Sequence, residues 1–406
     1  MPNLWSDEKG KAAIIIKLPG SLAERMTTVT VIGAGPAGGF SAYLLAKAGM
    51  DVRVFEEHGT IGEPVACTGV ITADVMAQRL QLPKELIVNR VAKARIFAPN
   101  GQSVEIKLKN DIIIDRAGFD RYVSGMAMEA GVKYFTSHRF ESFEHSSESG
   151  GNRSESKKIV VAVKDKAKNE IKKIETDFLI GADGPISSVA KTAGLFGNRE
   201  FYTGIQVTIP VPNDNIIGFY PSEQGIAWVV PENESISRVG IAAKKEANTY
   251  FRKFITAAVG EGYEKKIMSW QAGPIPIYGP KLKTATKDGK VLLVGDAATM
   301  VKAPTLGGIN QSLIGAEAAA ESITRNADYE NLWKKKMGMD LYLSLLMRKA
   351  MERFTDNDYN MLVAAFAKEK NRKVLESYDR DTPSKFALKL LIKEPKLLLF
   401  AKKAWF

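Results

Sequence analysis

Cysteine occurs once in this chain, as Cys67, and histidine three times, as His58, His138 and His145. A single thiol forms no intrachain disulfide and cannot complete a four-cysteine zinc or iron–sulfur site. Three scattered histidines show no metal-ligand spacing, so no metal is expected. Sparse thiol usage suits a reducing cytosol, and the chain reads as cytoplasmic. No apolar run reaches the roughly 18 residues that a membrane-spanning helix needs. No G-x-S-x-G turn is present, which excludes the nucleophile elbow of an α/β-hydrolase. Neither an internal repeat nor a low-complexity segment is visible.

The 406 residues are 45% hydrophobic and 25% charged, the profile of a folded protein with two or three domains' worth of core. The net charge of +11 leaves acidic membranes and acidic ligands open as partners. No nucleic-acid-binding motif accompanies that charge, so no nucleic acid is expected. The apolar run Ala12-Ala13-Ile14-Ile15-Ile16 is too short for a secretory signal. Recognisable fold begins at Thr27, and residues 1–26 read as an N-terminal extension.

Val29-Thr30-Val31-Ile32 is a β-branched run of the kind found in buried parallel strands. It leads into Gly33-Ala34-Gly35-Pro36-Ala37-Gly38, then an amphipathic helix over about 38–48, then a strand over 51–55 that ends at Glu56. This is the dinucleotide fingerprint. Gly33 permits the tight turn, Gly35 admits a pyrophosphate to the backbone, and Gly38 lets helix pack on strand. Glu56, 23 positions after Gly33, stands where a carboxylate accepts ribose hydroxyls.

Two later segments separate flavin from nicotinamide. Phe178-Leu179-Ile180-Gly181-Ala182-Asp183-Gly184 and Lys290-Val291-Leu292-Leu293-Val294-Gly295-Asp296 are strands ending in a glycine–acid turn. Aspartates so placed, Asp183 and Asp296, can bind the ribityl hydroxyls of a flavin. Pro304-Thr305-Leu306-Gly307-Gly308-Ile309-Asn310 then opens a helix whose amides can face the flavin ring or its phosphates.

In this order the motifs resemble the FAD proteins of the aromatic-hydroxylase fold, and within them the geranylgeranyl reductases. Pro64-Val65-Ala66-Cys67-Thr68-Gly69 is similar to that family's P-x-x-C-x-G. A second family motif, Y-x-W-x-F-P with a later glycine, is kept at Trp228, Pro231 and Gly240, but Ile226 and Val230 replace its other two aromatics. The resemblance implies FAD as cofactor. It implies contacts from Gly38, Glu56, Cys67, Thr68 and Val70, from Arg116 in an R-x-x-F-D motif, and from backbone groups at Phe140 to the adenine. It further implies contacts from Asp296, Gly307, Gly308 and Ile309 on the flavin side. The implied partners are a prenylated lipid or prenyl diphosphate and a reduced electron donor such as a nicotinamide or a ferredoxin.

The expected fold class is α/β: a discontinuous Rossmann-like FAD-binding domain, an antiparallel-sheet substrate domain and a C-terminal helical region. The FAD domain is assigned to 27–75, 105–195 and 285–325, the sheet domain to 76–104 and 196–284, and the helices to 326–406. Polar residues 146–156 read as a hairpin turn, and 202–209 and 238–243 read as antiparallel strands. Residues 364–406 carry 11 Lys/Arg and 5 Asp/Glu, and end in lysines among leucines with a terminal Trp405-Phe406. That composition suits peripheral contact with an anionic membrane; a helix packed on its own domain is the other reading.

A reduced flavin delivers hydride, and an isolated alkene accepts it only with protonation, in a dry apolar tunnel between the sheet and the flavin. Two residues are candidates for that chemistry. Trp228 either lines the tunnel, where its π face stabilises positive charge, or fills the sheet's core. Cys67 is either a small buried hydrophobe or, as the resemblance implies, a proton relay or electronic tuner beside the flavin. Arg116 likewise either serves the cofactor or pairs with Asp120 or Asp115.

Overall fold

The computed structural model describes residues 26–146, 158–379 and 381–404. The extension at 1–25, most of the proposed turn at 146–156, and Trp405-Phe406 lie outside the described residues.

Five parallel strands form the central sheet, in the order Val291–Leu293, Phe178–Gly181, Thr28–Ile32, Asp51–Phe55 and Lys133–Phe135. Val31, Val54, Leu179, Ile180 and Leu292 are fully buried, as a sheet covered on both faces requires. The helix Pro36–Lys47 packs against the helices Arg116–Glu129 and Ile309–Arg325. Pro36 takes the first helical position, where its missing N–H costs nothing. An antiparallel sheet of His138–His145, Ile159–Asp165 and Glu170–Thr176 flanks this core.

The larger sheet has eight strands, in the order Ser269–Pro276, Phe201–Pro210, Ile236–Ala243, Gly225–Pro231, Ile217–Ser222, Ile87–Phe97, Ser103–Ile114 and Val70–Thr72. Here the structure departs from the sequence-based boundaries. Residues 70–72 and 105–114 were assigned to the FAD domain, yet both are strands of this larger sheet. The cause is a short turn at Asn100-Gly101, with Gly101 at φ +85°, closed by Ala98 O accepting from Gly101 N at 2.9 Å. It folds Ser103–Ile114 straight back along Ile87–Phe97.

After residue 325 the described chain is helical. Tyr329–Trp333, Met339–Met351, Asp356–Ala367 and Glu369–Ser377 are followed by the short helices Ala387–Lys393 and Leu398–Lys402. Pro383 and Pro395 stand at the starts of the 3-10 turns that divide the last of them. Among the described residues no helix is long and apolar enough to cross a membrane.

Candidate FAD and substrate cleft

A cleft of about 320 Å³ opens at the carboxyl ends of the parallel strands, between them and the larger sheet. Open α/β sheets bind ligands at that edge. Its nucleotide end is the turn after Thr28–Ile32, with Gly35, Pro36 and Ala37 on the wall. Gly33 has φ +98°, and a Cβ there would stand 2.4 Å from Ala182 O; a Cβ on Gly38 would stand 2.0 Å from Gly33 O. Neither position tolerates a side chain, so the turn and the helix behind it are locked together.

Cys67, Thr68 and Val70 form a second wall. Cys67 Sγ accepts from Gly69 N at 3.3 Å. The buried Arg238 donates to Thr68 O at 2.6 Å while pairing with Glu232 at 2.5 Å, which ties this loop to the sheet. Arg116 lies beside it and makes two bonds to Asp120, at 2.7 and 3.0 Å. The pairing expected of Arg116 is with Asp120, as one half of a buried ion pair, and the residue also lines the cleft. Burial alone would lower the Arg116 pKa, but Asp120 and Cys67 more than offset it and hold it above the ordinary value.

Asp296, Gly307, Gly308 and Ile309 form the third wall, at the start of Ile309–Arg325. Burial pushes the Asp296 carboxyl up to about 6, against the pull of Arg116. No hydrogen-bond donor meets this carboxylate among the described residues. Arg116 Nε, Asn310 Oδ1 and Gln311 Oε1 are also buried without partners, and all three residues line the cleft. A ligand bearing hydroxyls and ring acceptors fits this set, and the glycine-rich turn at Gly33–Gly38, with no side chain at Gly35, fits a pyrophosphate.

Not every expected contact lies in the cleft. Asp183 resembles Asp296 in sequence, but it does not line the cleft, and its oxygens accept from Ser187 Oγ at 2.5 Å and Val189 N at 3.0 Å at the start of the short helix Ser188–Thr192, which Ser187 caps. The Phe140 side chain is buried in the core beside the central sheet, which leaves only its backbone for the contact that the resemblance implies. Glu56 accepts from Ala34 N at 2.8 Å and pairs with His58 at 2.7 Å, and so braces the glycine turn. The substrate side is not uniformly apolar either. Ile205, Phe219, Ile226, Trp228 and Val230 form an apolar stretch, but Gln206 and Gln271 sit within it. At the far end Asp381, from the C-terminal region, binds Lys302 and Asn310. Sequence reading missed Gln206, Gln271, Lys302 and Asp381; Gln206, between Ile205 and Val207 in a buried strand, was the visible anomaly.

Residues 116–324, just over half the chain, match the FAD binding domain family, and residues 31–71 match the NAD(P)-binding Rossmann-like domain. The chain belongs to the FAD binding domain family. Its cofactor is FAD. The digeranylgeranylglycerophospholipid reductase 2 of Methanopyrus kandleri is 28% identical over 407 residues, covering 92% of this chain and 98% of that protein. The digeranylgeranylglycerophospholipid reductase of Methanocaldococcus jannaschii is 28% identical over 402 residues, covering 92% and 97%. A geranylgeranyl bacteriochlorophyll reductase-like protein from Thermoplasma acidophilum superposes with a TM-score of 0.77 at 21% identity, over 94% of this chain and all of that one. The flavin-dependent halogenase CmlS shares the fold, with a TM-score of 0.63 at 14% identity over 93% of this chain and 79% of that one.

The buried Asp296 carboxyl yields a prediction for the FAD-binding protein. Its folded pKa lies above the ordinary carboxylate value, so between the two the folded apoprotein binds the extra proton. Apoprotein stability therefore rises as the pH is lowered from about 7 to about 5. Thermal melts across that range should show the rise, and Asp296→Asn should make it smaller. A flat wild-type profile would remove the case for a strained carboxylate awaiting a hydroxyl.

Proposed function

We propose that this FAD-binding chain is a reductase that saturates the double bonds of geranylgeranyl chains, those of archaeal membrane glycerolipids first. The observation that carries the reading is end-to-end similarity to two digeranylgeranylglycerophospholipid reductases, with no large segment of either relative unmatched. A cleft whose apolar stretch faces the wall bearing Cys67 supports it.

Bound and reduced, FAD supplies hydride at N5. The protein's part is to bind, orient and exclude water. Asp296 and the glycine turn hold the cofactor, while Ile205, Phe219, Ile226 and Val230 keep the chain's surroundings dry, so that charge is not dissipated into water. Trp228 offers a π face to a developing tertiary cation. Cys67 holds the proton that the alkene takes up.

Product mass spectrometry tests this. Dithionite-reduced holoenzyme, incubated without air with digeranylgeranylglycerol phosphate lipid, should give products heavier by one pair of hydrogens per bond. Unchanged lipid, or oxygen incorporated under air, would transfer the chain to the monooxygenases and halogenases of the same fold.

The lipid must also reach the cleft. We infer that the C-terminal helices rest on the membrane surface. Leu388 and Ile392, one turn apart on Ala387–Lys393, are 68% and 69% exposed, and Leu398 and Leu399 are 49% and 63% exposed. Lys393, Lys396 and Lys402 stand among them, and no helix here is a spanning one. Such a face suits partial insertion with lysines at the headgroups. Holoenzyme should sediment with phosphatidylglycerol vesicles and not with phosphatidylcholine vesicles. The pair Leu388→Glu and Ile392→Glu should abolish sedimentation while flavin content is kept. Equal binding by that variant would overturn the inference.

A further inference from the structure

Four residues form one row across the larger sheet. Gln271 lies opposite Gln206, Gln206 opposite Gly240, and Gly240 opposite Trp228. Directly opposed residues on neighbouring strands share a face, and Gln271, Gln206 and Trp228 all line the cleft. A Cβ on Gly240 would stand 2.7 Å from Trp228 Cε2 and Cζ2, so the indole lies over the glycine. From there its Nε1 donates to Gln206 Oε1 at 2.9 Å. Gln206 Nε2 donates to Gln271 Oε1 at 2.9 Å and to Cys67 O at 3.4 Å. Cys67 N in turn donates to Gln271 Oε1 at 3.4 Å.

The orientation of both amides follows from the ends of this chain. An indole N–H only donates, so Gln206 must present its oxygen to Trp228 and its NH₂ to Gln271. Gln271 must then present its oxygen. The Cys67 N–H, also an obligate donor, demands the same at the other end. Two fixed donors, Trp228 Nε1 and Cys67 N, thus set the orientation of both amides.

We propose that Gln206 and Gln271 are positioning residues that clamp the Cys67 loop at a fixed distance from Trp228. The clamp deepens the proposed function, because it sets the proton-holding residue against the apolar wall; its existence can be tested without that function. Gln271 takes part only as an acceptor, whereas Gln206 must both accept and donate. A carboxylate can therefore replace the first and not the second.

Cys67 is the one thiol of the chain, so alkylation by iodoacetamide reports on this loop alone. In FAD-loaded protein, Gln206→Leu and Gln271→Leu should each raise the alkylation rate about tenfold, as each removes one of the two bonds that hold Cys67 to the sheet. Gln271→Glu should alkylate no faster than wild type. Gln206→Glu should behave like Gln206→Leu, since it cannot donate to Gln271. Leucine variants that alkylate at the wild-type rate, or glutamate variants that behave alike, would overturn the clamp. Should a leucine variant lose its flavin, the glutamate pair decides. A wild-type protein that reduces no prenyl chain would sink the proposed function while leaving this comparison intact. Where prenyl reduction is found, Gln206→Leu should lower kcat with KM little changed.

Discussion

Replacing Arg116 with methionine is expected to destabilise the protein by about 3–5 kcal/mol, as breaking one side of a buried ion pair does, and to empty it of flavin. The pair is well enclosed: the side chains of Arg116 and Asp120 are 12% and 6% exposed. Burial already pushes the Asp120 carboxyl up, and Arg116 is the main group holding it down. Without the guanidinium Asp120 must either stay ionised in an apolar setting or bind a proton. A carboxyl whose folded pKa is raised costs stability as the pH climbs through it, so the deficit of Arg116→Met should shrink towards acid pH. Urea melts at two pH values measure this. The double variant Arg116→Met with Asp120→Leu separates packing from function. Replacing a buried pair by apolar residues is often neutral or stabilising, so stability should return while flavin affinity does not. If Arg116→Met melted like wild type, the buried pair would not be what Arg116 stabilises, and if the double variant regained its flavin, Arg116 would have no role at the cofactor.

Local patterns were legible where the physics is local. The glycine turn after Thr28–Ile32, the Gly295-Asp296 turn and the helix opened by Gly308 each need only a few adjacent residues, and the structure places them around one cleft. Asp183 and Asp296 look alike over that range, yet differ in use because of what stands four residues on. Ser187 follows Asp183 and takes its carboxylate into a helix cap, whereas Met300 follows Asp296 and offers no hydroxyl. That signal was present and is readable as a capping pattern. The Asn100-Gly101 turn was readable too, as a hairpin marker. The Gln206–Gln271 pair was not. Its partners are 65 positions apart, and they meet only because one strand register puts them opposite each other. The tie from Asp381 to Lys302 spans 79 positions and depends on how the C-terminal helices dock. Such contacts are decided by tertiary packing, which no window along the chain contains.

Cys67 is where the reading of the site meets its hardest test. Its loop is fixed from both sides, by Arg238 at Thr68 O and by the glutamine row at Cys67 itself, and a packing residue would not need that restraint. Positioned acid groups contribute about a hundredfold or more to rate. Cys67→Ala should therefore keep FAD and lose at least about a hundredfold in prenyl-chain reduction, because the alkene then meets hydride with no proton in place. Cys67→Ser keeps an acceptor for the Gly69 N–H that now meets the sulfur at 3.3 Å. Its hydroxyl is a far weaker acid than a thiol, so loop geometry should survive while most of the rate does not. The serine variant should also leave more partly reduced lipid, since each successive bond repeats the slowed step. Flavin absorbance and product mass spectra on the same samples read both effects. Wild-type rates and product patterns in the two variants would make Cys67 a packing residue, and the proton would then have to come from another group on the cleft wall.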